Sequence, residues 1–368
     1  MIEEKYLKYE ELTIYNLRSL YAGYGYLPFK MSKFEEYELY VKNKDFLVSD
    51  SVITFNDTNG KLLALKPDVT LSIIKNGQDE KGVKQKVFYS ENVYRISGST
   101  RQFKEIMQTG LECIGDIDQY DVFEVLTLAC ASLETISSDY VIELSHLGVL
   151  SALLDSVNTD DSFKMQIMDC IKQKNSHEIK KICAMYSVSE DDTRLLCDFV
   201  SIYGKADLVL ERLSQIELGS EYRQALNELK ALVELLDKTV YKDKIRLDFS
   251  IVNDMNYYNG IVFNGFINGV CETVMFGGRY DKLLNKMGRK SKGIGFAIYV
   301  DLLEELDKDY KGYDVDALIL YDANTSVETL SSLVNEYRQK GQSVTAQKAI
   351  PEKIRYKELV DITGEIGQ

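Results

Sequence analysis

The segment IMQTGLECIG (residues 106–115) has polar groups whose types and spacing could bind a ligand. In an extended strand successive side chains point to opposite faces, so Gln108, Gly110 and Glu112 share one face. A glutamine and a glutamate that flank a glycine place two hydrogen-bond acceptors beside open space. This arrangement suits an ammonium or imidazolium group, because buried polar groups require partners. The alternative is an ordinary strand whose polar face is turned to solvent.

Candidate binding groups occur at three other places. Asp68 and Thr70 lie two residues apart after a proline, where the alternative is a Pro-Asp turn with the threonine as a local cap. Arg95 ends an apolar and aromatic run, and its guanidinium group suits bidentate binding of a carboxylate. Its alternative is a surface charge at the end of a strand. Tyr257 and Tyr258 could line a site or simply pack in the core.

The charge and composition argue against several functions. The chain has 44 basic and 58 acidic residues, a net charge of −14, whereas nucleic-acid binders concentrate positive charge. We therefore expect no tight tRNA binding, although the acidity could serve solubility alone. Only two histidines are present, which argues against a histidine-rich metal site or a Ser-His-Asp triad. We expect no metal and no other cofactor.

The N-terminus and the cysteines predict a cytoplasmic protein. The first residues are charged and lack the apolar centre of a signal peptide, and no stretch approaches the roughly 20 apolar residues of a membrane span. The six cysteines lie far apart without a CxxC pair. We expect them to be reduced thiols, mostly buried.

The order of the predicted elements favours an α+β fold. Hydrophobic periodicity predicts a helix at residues 4–25 that is ended by Gly23 and Gly25, and then antiparallel hairpins at residues 50–125. A second helix at residues 120–137 and a nearly all-helical block at about 146–240 follow. The further strands are KIRLDFSIV, GIVFNGFING and KGIGFAIYV. A small βαβ-like unit follows.

The same pattern predicts two domains. We expect a core of residues 1–312 that contains the helical insertion at about 146–240, and a small C-terminal α/β unit of residues 313–368. Residues 314–368 contain six basic and nine acidic residues, so this unit has a net charge of −3.

Several of these segments, in this order, resemble histidyl-tRNA synthetases, a branch of the class II aminoacyl-tRNA synthetases. Leu65–Thr70 (LKPDVT) resembles the Leu-Arg-Pro-Glu-Gly-Thr segment of that family. Val93–Arg95 with Gln108–Glu112 resembles motif 2, a strand that ends in arginine followed by a loop and a return strand. Tyr257–Phe263 with Gly277–Asp281 resembles the histidine-recognising stretch and the glycine-rich strand after it. The resemblance covers about residues 5–305.

The resemblance implies a fold and a ligand. The fold is a class II synthetase-like antiparallel sheet flanked by helices. Asp68 and Thr70 match the acid and the threonine that hold the substrate's α-amino group in the family. The candidate histidine-binding residues are therefore Asp68, Thr70, Arg95, Gln108, Glu112, Tyr257 and Tyr258.

Four positions depart from an active synthetase. The third synthetase motif, Gly-Phe-Ala-x-Gly-x-Glu-Arg, ends in an arginine that clamps ATP, and Leu302 stands there in this chain. Tyr299 replaces the glycine of that motif. Asn253 replaces a second arginine, and Ser97 replaces a glutamate after motif 2. Loss of one transition-state charge donor typically costs about 10²–10³ in rate, so we expect no catalytic residues and no adenylation.

A synthetase-like core without ATP clamps, followed by a short acidic tail, is similar to the regulatory subunits of ATP phosphoribosyltransferase in histidine biosynthesis. The resemblance implies a non-catalytic subunit with a class II-type homodimer core. It would bind the short-form catalytic subunit, in a hetero-octamer, with L-histidine as allosteric effector and without tRNA or membrane. Ser32, in place of the usual motif 1 proline, and Lys66, in place of arginine, depart from the subfamily.

Two alternatives remain from the sequence. A stand-alone histidine sensor would keep the pocket but bind no phosphoribosyltransferase. A degenerate but active histidyl-tRNA synthetase would need a substitute for the lost arginines.

Overall fold

A nine-stranded sheet forms the centre of the larger part of the chain. The computed structural model describes residues 7–43, 52–77, 79–97, 100–157, 160–251, 257–309 and 312–364. The chain divides into two compact units, Met1–Leu306 and Asp307–Gln368, which are described separately. The domain boundary expected after residue 312 falls within the second unit and stays a prediction.

The elements follow the mixed order expected from the sequence. The α-helices in the described ranges are α1 (Tyr9–Gly23), α2 (Tyr37–Lys42), α3 (Thr70–Asn76), α4 (Gln119–Ile136), α5 (Leu147–Ser156), α6 (Asp161–Lys172), α7 (Ser176–Met185), α8 (Glu190–Val200), α9 (Ala206–Ser214), α10 (Ser220–Leu236), α11 (Asp281–Lys286) and α12 (Val327–Gln339). The 3₁₀ helices are Lys242–Lys244 and Val300–Asp309.

The strands in the same ranges are β1 (Leu27–Pro28), β2 (Phe34–Glu36), β3 (Thr54–Asn56), β4 (Leu62–Leu65), β5 (Lys84–Ile96), β6 (Phe103–Gly115), β7 (Tyr140–His146), β8 (Tyr203–Lys205), β9 (Ile245–Asp248), β10 (Ile261–Ile267), β11 (Met275–Arg279), β12 (Lys292–Tyr299), β13 (Val315–Leu320), β14 (Val344–Gln347) and β15 (Tyr356–Asp361). Among these described elements, no helix has the length and apolar character that a membrane span requires.

The large sheet has the order β1-β5-β6-β12-β11-β10-β7-β9-β8. Its strands are antiparallel except for the pairs β1/β5 and β7/β9, which are parallel. A separate antiparallel sheet has the order β2-β4-β3. The long β5–β6 hairpin and the helices that flank the sheet confirm the predicted α+β class.

The two faces of β6 pack into different hydrophobic clusters. Leu111 and Cys113 belong to the main core, which includes residues of α1, α4 and the helical block. Ile114 belongs to a second cluster with residues of α3 and α11, and Ile106 packs against it. The predicted alternation along this strand is therefore confirmed, and the face with Gln108 and Glu112 is the one beside the second cluster.

Several element boundaries differ from the expectation. Helix α1 begins at Tyr9 and not at residue 4, since Leu7 and Lys8 lie outside it; the Glu11 carboxylate accepts a hydrogen bond from the Lys8 amide at 2.9 Å and caps this start. The helix ends at Gly23, and Gly25 (φ +79°) supplies the left-handed turn. Within the block of about 146–240 that was expected to be nearly all-helical, α8 ends at Val200 and the short strand β8 follows, which pairs with β9 and extends the sheet.

The C-terminal unit contains the predicted βαβ arrangement and one strand more. Strands β13 and β14 are parallel and are connected through α12, as expected. Strand β15 also pairs with β13 in parallel. It was not predicted, because its residues do not alternate clearly between buried and exposed positions. Its central residues, Lys357 to Leu359, are all exposed.

Candidate functional site

The β5–β6 hairpin and β12 position the polar groups of the candidate site. Glu112 lies opposite Val87 on β5 and opposite Gly295 on β12. Gln108 lies opposite Tyr299 on β12, two side-chain repeats from Glu112 along the same face. Both side chains are almost fully buried, Gln108 at 4% and Glu112 at 3% exposure, so the solvent-facing alternative for this strand is wrong.

Two hydroxyl groups hold the Glu112 carboxyl group in place. Thr70 Oγ1 donates a hydrogen bond to Glu112 Oε1 at 2.7 Å, and the Tyr280 hydroxyl donates to Oε2 at 2.5 Å. A side chain at Gly295 would collide with this carboxyl group, which explains the glycine at that position. Glu112 is therefore fixed between β6, β12 and the start of α3.

Burial changes the protonation of Glu112. Loss of solvation is the main cause that raises the pKa of this carboxyl to about 8; the hydrogen bonds from Tyr280 and Thr70 oppose the rise, and the nearby Asp68 adds to it. Glu112 therefore keeps its proton at neutral pH. A cationic ligand beside it would favour the ionised form, and such a carboxyl can pass its proton to a bound base.

Asp68 and Thr70 stand at the beginning of α3. Asp68 Oδ1 accepts a hydrogen bond from the Leu71 amide at 2.9 Å. The Pro-Asp turn considered as the alternative is therefore present, but the aspartate and not the threonine is the capping group. Thr70 does not cap; its hydroxyl is directed to Glu112. Burial raises the pKa of Asp68, and the Arg95 guanidinium acts against that rise. Asp68 thus helps to form the pocket as well as the turn.

Arg95 is held across the pocket by two hydrogen bonds. Its Nε donates to the Pro67 carbonyl at 3.1 Å and its Nη1 to the Tyr299 hydroxyl at 3.0 Å. The guanidinium carbon lies 5.8 Å from the centre of the Tyr299 ring. Arginine has five N–H donors, so the remaining ones can bind a carboxylate. The half-buried position differs from the exposed strand-end charge that was the alternative.

Tyr257 and Tyr258 form an aromatic wall. Their ring centres are 4.6 Å apart, and the Tyr257 ring lies 6.1 Å from that of Tyr280. Both tyrosines also pack with the second hydrophobic cluster, so the core-packing alternative holds together with the site position. A side chain at Gly278 would strike the Tyr258 ring.

These contacts place six of the seven predicted residues in one cluster, and Gln108 lies on the same face of β6 as Glu112. Together they present a carboxyl pair, a guanidinium group, an amide, a hydroxyl group and two aromatic rings. In the described part of the chain no hydrogen bond forms to the side-chain amide of Gln108. A buried amide of this kind is available to a ligand.

Three features near the site were not predicted from the sequence. They are Tyr280, the contact of Tyr299 with Arg95, and the Lys66–Glu91 ion pair. The Lys66 side chain is fully buried and its Nζ lies 2.6 Å from Glu91 Oε2. The GGRYD segment that contains Tyr280 was noted, but its register with Glu112 requires the folded sheet. No pattern in the sequence indicates the Lys66 partner.

The positions that depart from a synthetase have structural roles here. Leu302 packs against the main core, so an aliphatic side chain stands where the ATP-clamping arginine was expected. Ser97 begins the turn of the β5–β6 hairpin, where its Oγ accepts a hydrogen bond from the Thr100 amide at 3.3 Å. Asn253 lies outside the described residues.

The comparisons with known proteins agree with this geometry. The family model described as histidyl-tRNA synthetase matches residues 3–303. The chain belongs to the histidyl-tRNA synthetase family.

Individual relatives in this family are distant. An ATP phosphoribosyltransferase regulatory subunit from Oceanobacillus iheyensis is 26% identical over 294 residues, which are 79% of this chain and 72% of the relative. The crystal structure of an ATP phosphoribosyltransferase regulatory subunit/histidyl-tRNA synthetase from Bacillus halodurans C has a TM-score of 0.77 at 23% identity and covers 97% of this chain and 94% of its own.

A chain of the ATP phosphoribosyl transferase (HisG:HisZ) complex from Thermotoga maritima has a TM-score of 0.63 at 20% identity, over 79% of this chain and 97% of its own. At these identities the two structural likenesses establish the class II synthetase-like fold.

The raised pKa of Glu112 makes a testable prediction about stability. A carboxyl whose pKa is about 8 in the folded state and near 4.3 when unfolded contributes stability that is complete below about pH 4.3 and is lost as the pH rises through about 8. Glu112→Gln cannot ionise. Its free energy of unfolding should therefore rise relative to wild type by roughly 2–4 kcal/mol between pH 5.5 and 8.5, as measured by urea unfolding.

Asp79→Asn is the control for this measurement. Hydrogen bonds from Ser291, Lys290 and Arg289 lower the pKa of Asp79 to about 2, so its contribution is complete above about pH 4 and does not change in the tested window. The difference between this variant and wild type should be constant. The same pH trend for Glu112→Gln and wild type would contradict the assignment of a buried, protonated Glu112.

Proposed function

We propose that the protein is a non-catalytic regulatory subunit of ATP phosphoribosyltransferase that senses L-histidine and acts on a short-form catalytic subunit. The name of its Oceanobacillus iheyensis relative supports this role, as does the Thermotoga maritima complex that contains a chain of the same fold. The observation that carries the proposal is the pocket itself. The residues expected to bind the amino acid are present. The positions expected to contact a nucleotide carry residues other than those of an active synthetase.

Free histidine has chemical partners for each of its groups in this pocket. Its carboxylate would bind the remaining N–H groups of Arg95, and its α-amino group would lie by Asp68 and Thr70. The imidazole would reach Glu112 and Gln108, with the two adjacent tyrosine rings along its side. Because Glu112 keeps its proton at neutral pH, the site can supply that proton to the imidazole ring. Binding would then need no proton from solvent.

The nucleotide side of the pocket is unsuited to ATP. Tyr299 lies beside Arg95, and its hydroxyl group accepts one of the N–H groups that a phosphate or carboxylate would use. Leu302 contributes apolar packing instead of positive charge. A transferring phosphoryl group requires fixed cationic partners, and removal of one donor costs about 10²–10³ in rate. We therefore infer a protein that binds an amino acid without activating it.

The assembly we propose has a homodimer core within a cytoplasmic hetero-octamer. The small sheet β2-β4-β3 exposes Phe34, Phe55 and Leu62, with relative exposures of 48%, 38% and 42%. The rings of Phe34 and Phe55 are 5.7 Å apart, so these two side chains form one apolar patch, whereas Leu62 lies on the other face of the sheet. Exposed apolar patches commonly mark protein interfaces. We propose this sheet, near the N-terminus, as part of the dimer contact, and we propose no tRNA-binding role.

A sensor of this kind acts by favouring one state of the assembly. Histidine shifts an equilibrium between two conformations only by its difference in affinity for them. Linkage then requires that histidine and the substrates of the catalytic subunit influence each other's binding, typically by about 5–150-fold.

The direct test of this function is reconstitution with the short catalytic subunit of the same organism. Phosphoribosyl-ATP formation should increase when the two proteins are mixed, decrease when histidine is added, and follow a co-eluting complex on gel filtration. Glu112→Gln should still form the complex but lose most of the histidine inhibition, and Glu143→Gln, a glutamate on β7 outside the pocket, should respond as wild type.

Two results would contradict the proposal. A catalytic subunit that is fully active and histidine-sensitive by itself would leave this chain without a regulatory role. Histidine binding without any complex would favour the stand-alone sensor instead.

A second prediction concerns the chemistry of the parent family. Purified protein should give no histidine-dependent ATP–pyrophosphate exchange and no aminoacylation of tRNA, because Leu302 and Asn253 replace the two arginines that would act on the phosphates. An active histidyl-tRNA synthetase under the same conditions is the positive control. Exchange above background that is lost in Glu112→Gln would instead show a degenerate but active synthetase.

A further inference from the structure

A cavity lies away from the candidate histidine-binding residues. It has a volume of about 840 Å³ and is formed by the first half of α10, the start of α4 and the edge of the large sheet where β7 ends and β12 begins. Ligand cavities in proteins are typically about 300–1,000 Å³, so this space could hold a small metabolite. None of the seven candidate histidine-binding residues lines it.

Three cationic side chains meet in this cavity, although the chain has a net charge of −14. They are Arg223 on α10, Arg279 at the end of β11 and Lys292 at the start of β12. Arg279 forms an ion pair with Asp281 at 2.7 Å. Among the described residues, the side chains of Arg223 and Lys292 form neither an ion pair nor a hydrogen bond.

The acidic side chains of the cavity already have partners. Asp118 pairs with Lys84 at 3.1 Å, and its other oxygen caps the first turn of α4. Glu228 lies 3.4 Å from His146 Nε2 and accepts a hydrogen bond from Gln224 at 3.2 Å. The carboxylates are therefore neutralised or hydrogen-bonded, whereas two of the cations are available.

A buried histidine also lines the cavity. His146 is 4% exposed, and its Nδ1 accepts a hydrogen bond from the Gly148 amide at 3.1 Å. Since Nδ1 has no proton in this arrangement, the ring proton is on Nε2, which faces Glu228. This N–H group is directed to the Glu228 carboxylate, so an anion in the cavity would rely on Arg223 and Lys292.

We propose that this cavity binds a small molecule through a phosphate group. Arginine holds phosphate oxygens with two parallel N–H bonds, and lysine adds a compact positive charge. Arg223 and Lys292 supply these two kinds of contact from two different elements, α10 and β12, and Arg279 at the end of β11 also lines the cavity. The volume beyond the cations leaves room for the organic part of a phosphorylated metabolite. This proposal does not depend on the proposed regulatory role.

The test is calorimetric titration of the full-length protein with pyrophosphate and with ribose 5-phosphate at low ionic strength, with succinate as a carboxylate comparator. At least one phosphate compound should bind in the presence of saturating histidine, and succinate should bind more weakly. The variant Arg223→Ala/Lys292→Ala should lose roughly tenfold or more in affinity, because it removes two charge-assisted contacts. Its circular dichroism and melting temperature should equal those of wild type, since both side chains are exposed.

The matched control is Lys230→Ala/Lys290→Ala, which removes the same charge from α10 and from the segment before β12 but outside the cavity lining. This control should keep wild-type affinity. The proposal is overturned if neither phosphate compound binds, if succinate binds as tightly as both, or if the two double variants lose affinity equally. It is also overturned if histidine displaces the phosphate compound, since the two would then share one site.

Discussion

The burial of one carboxyl group, that of Glu112, is the constraint on which the candidate site depends. Glu112 lies on β6, an interior strand of the large sheet, where Gly295 leaves space for it and where Thr70 and Tyr280 donate hydrogen bonds. A buried carboxyl group is costly unless it is hydrogen-bonded or neutral. Glu112 accepts two hydrogen bonds, and its raised pKa of about 8 favours the neutral form. The start of α3 and the tyrosine cluster pack against this one group.

The candidate site and its surroundings support the proposal of amino-acid binding without activation. Polar and aromatic groups that suit an amino acid remain, but Arg95 is held by the carbonyl of Pro67 and by the Tyr299 hydroxyl. Leu302 has become part of the hydrophobic core. We infer that a sensor can arise within a catalytic family when apolar packing replaces a few charged contacts. The residues that suit an amino acid are retained.

Local patterns in the sequence predicted the parts of the molecule that depend on nearby residues. The alternation in β6 placed Gln108 and Glu112 on one face, and helix α4 agreed with its periodicity almost to the residue. The start of α1 was wrong because the capping contact of Glu11 outweighs the apolar periodicity of residues 4–8.

Contacts between distant parts of the chain could not be predicted in this way. Tyr280 reaches Glu112 across 168 positions, and Arg95 reaches Tyr299 across 204. The cavity beneath α10 likewise joins residues of α10 with the ends of several strands. Such groupings follow from strand order and register, which side-chain periodicity does not specify.

The most direct test of the central claim is a calorimetric titration of L-histidine into wild-type protein, Glu112→Gln and Glu143→Gln at neutral pH. Glu143 is a suitable control because burial also raises its pKa, yet it lies on β7 outside the pocket. We expect saturable binding to wild type and Glu143→Gln. Binding to Glu112→Gln should be roughly 10–100-fold weaker, since a charge-assisted hydrogen bond contributes about 1.5–3 kcal/mol. Equal affinity for all three proteins, or no binding to wild type, would contradict the account.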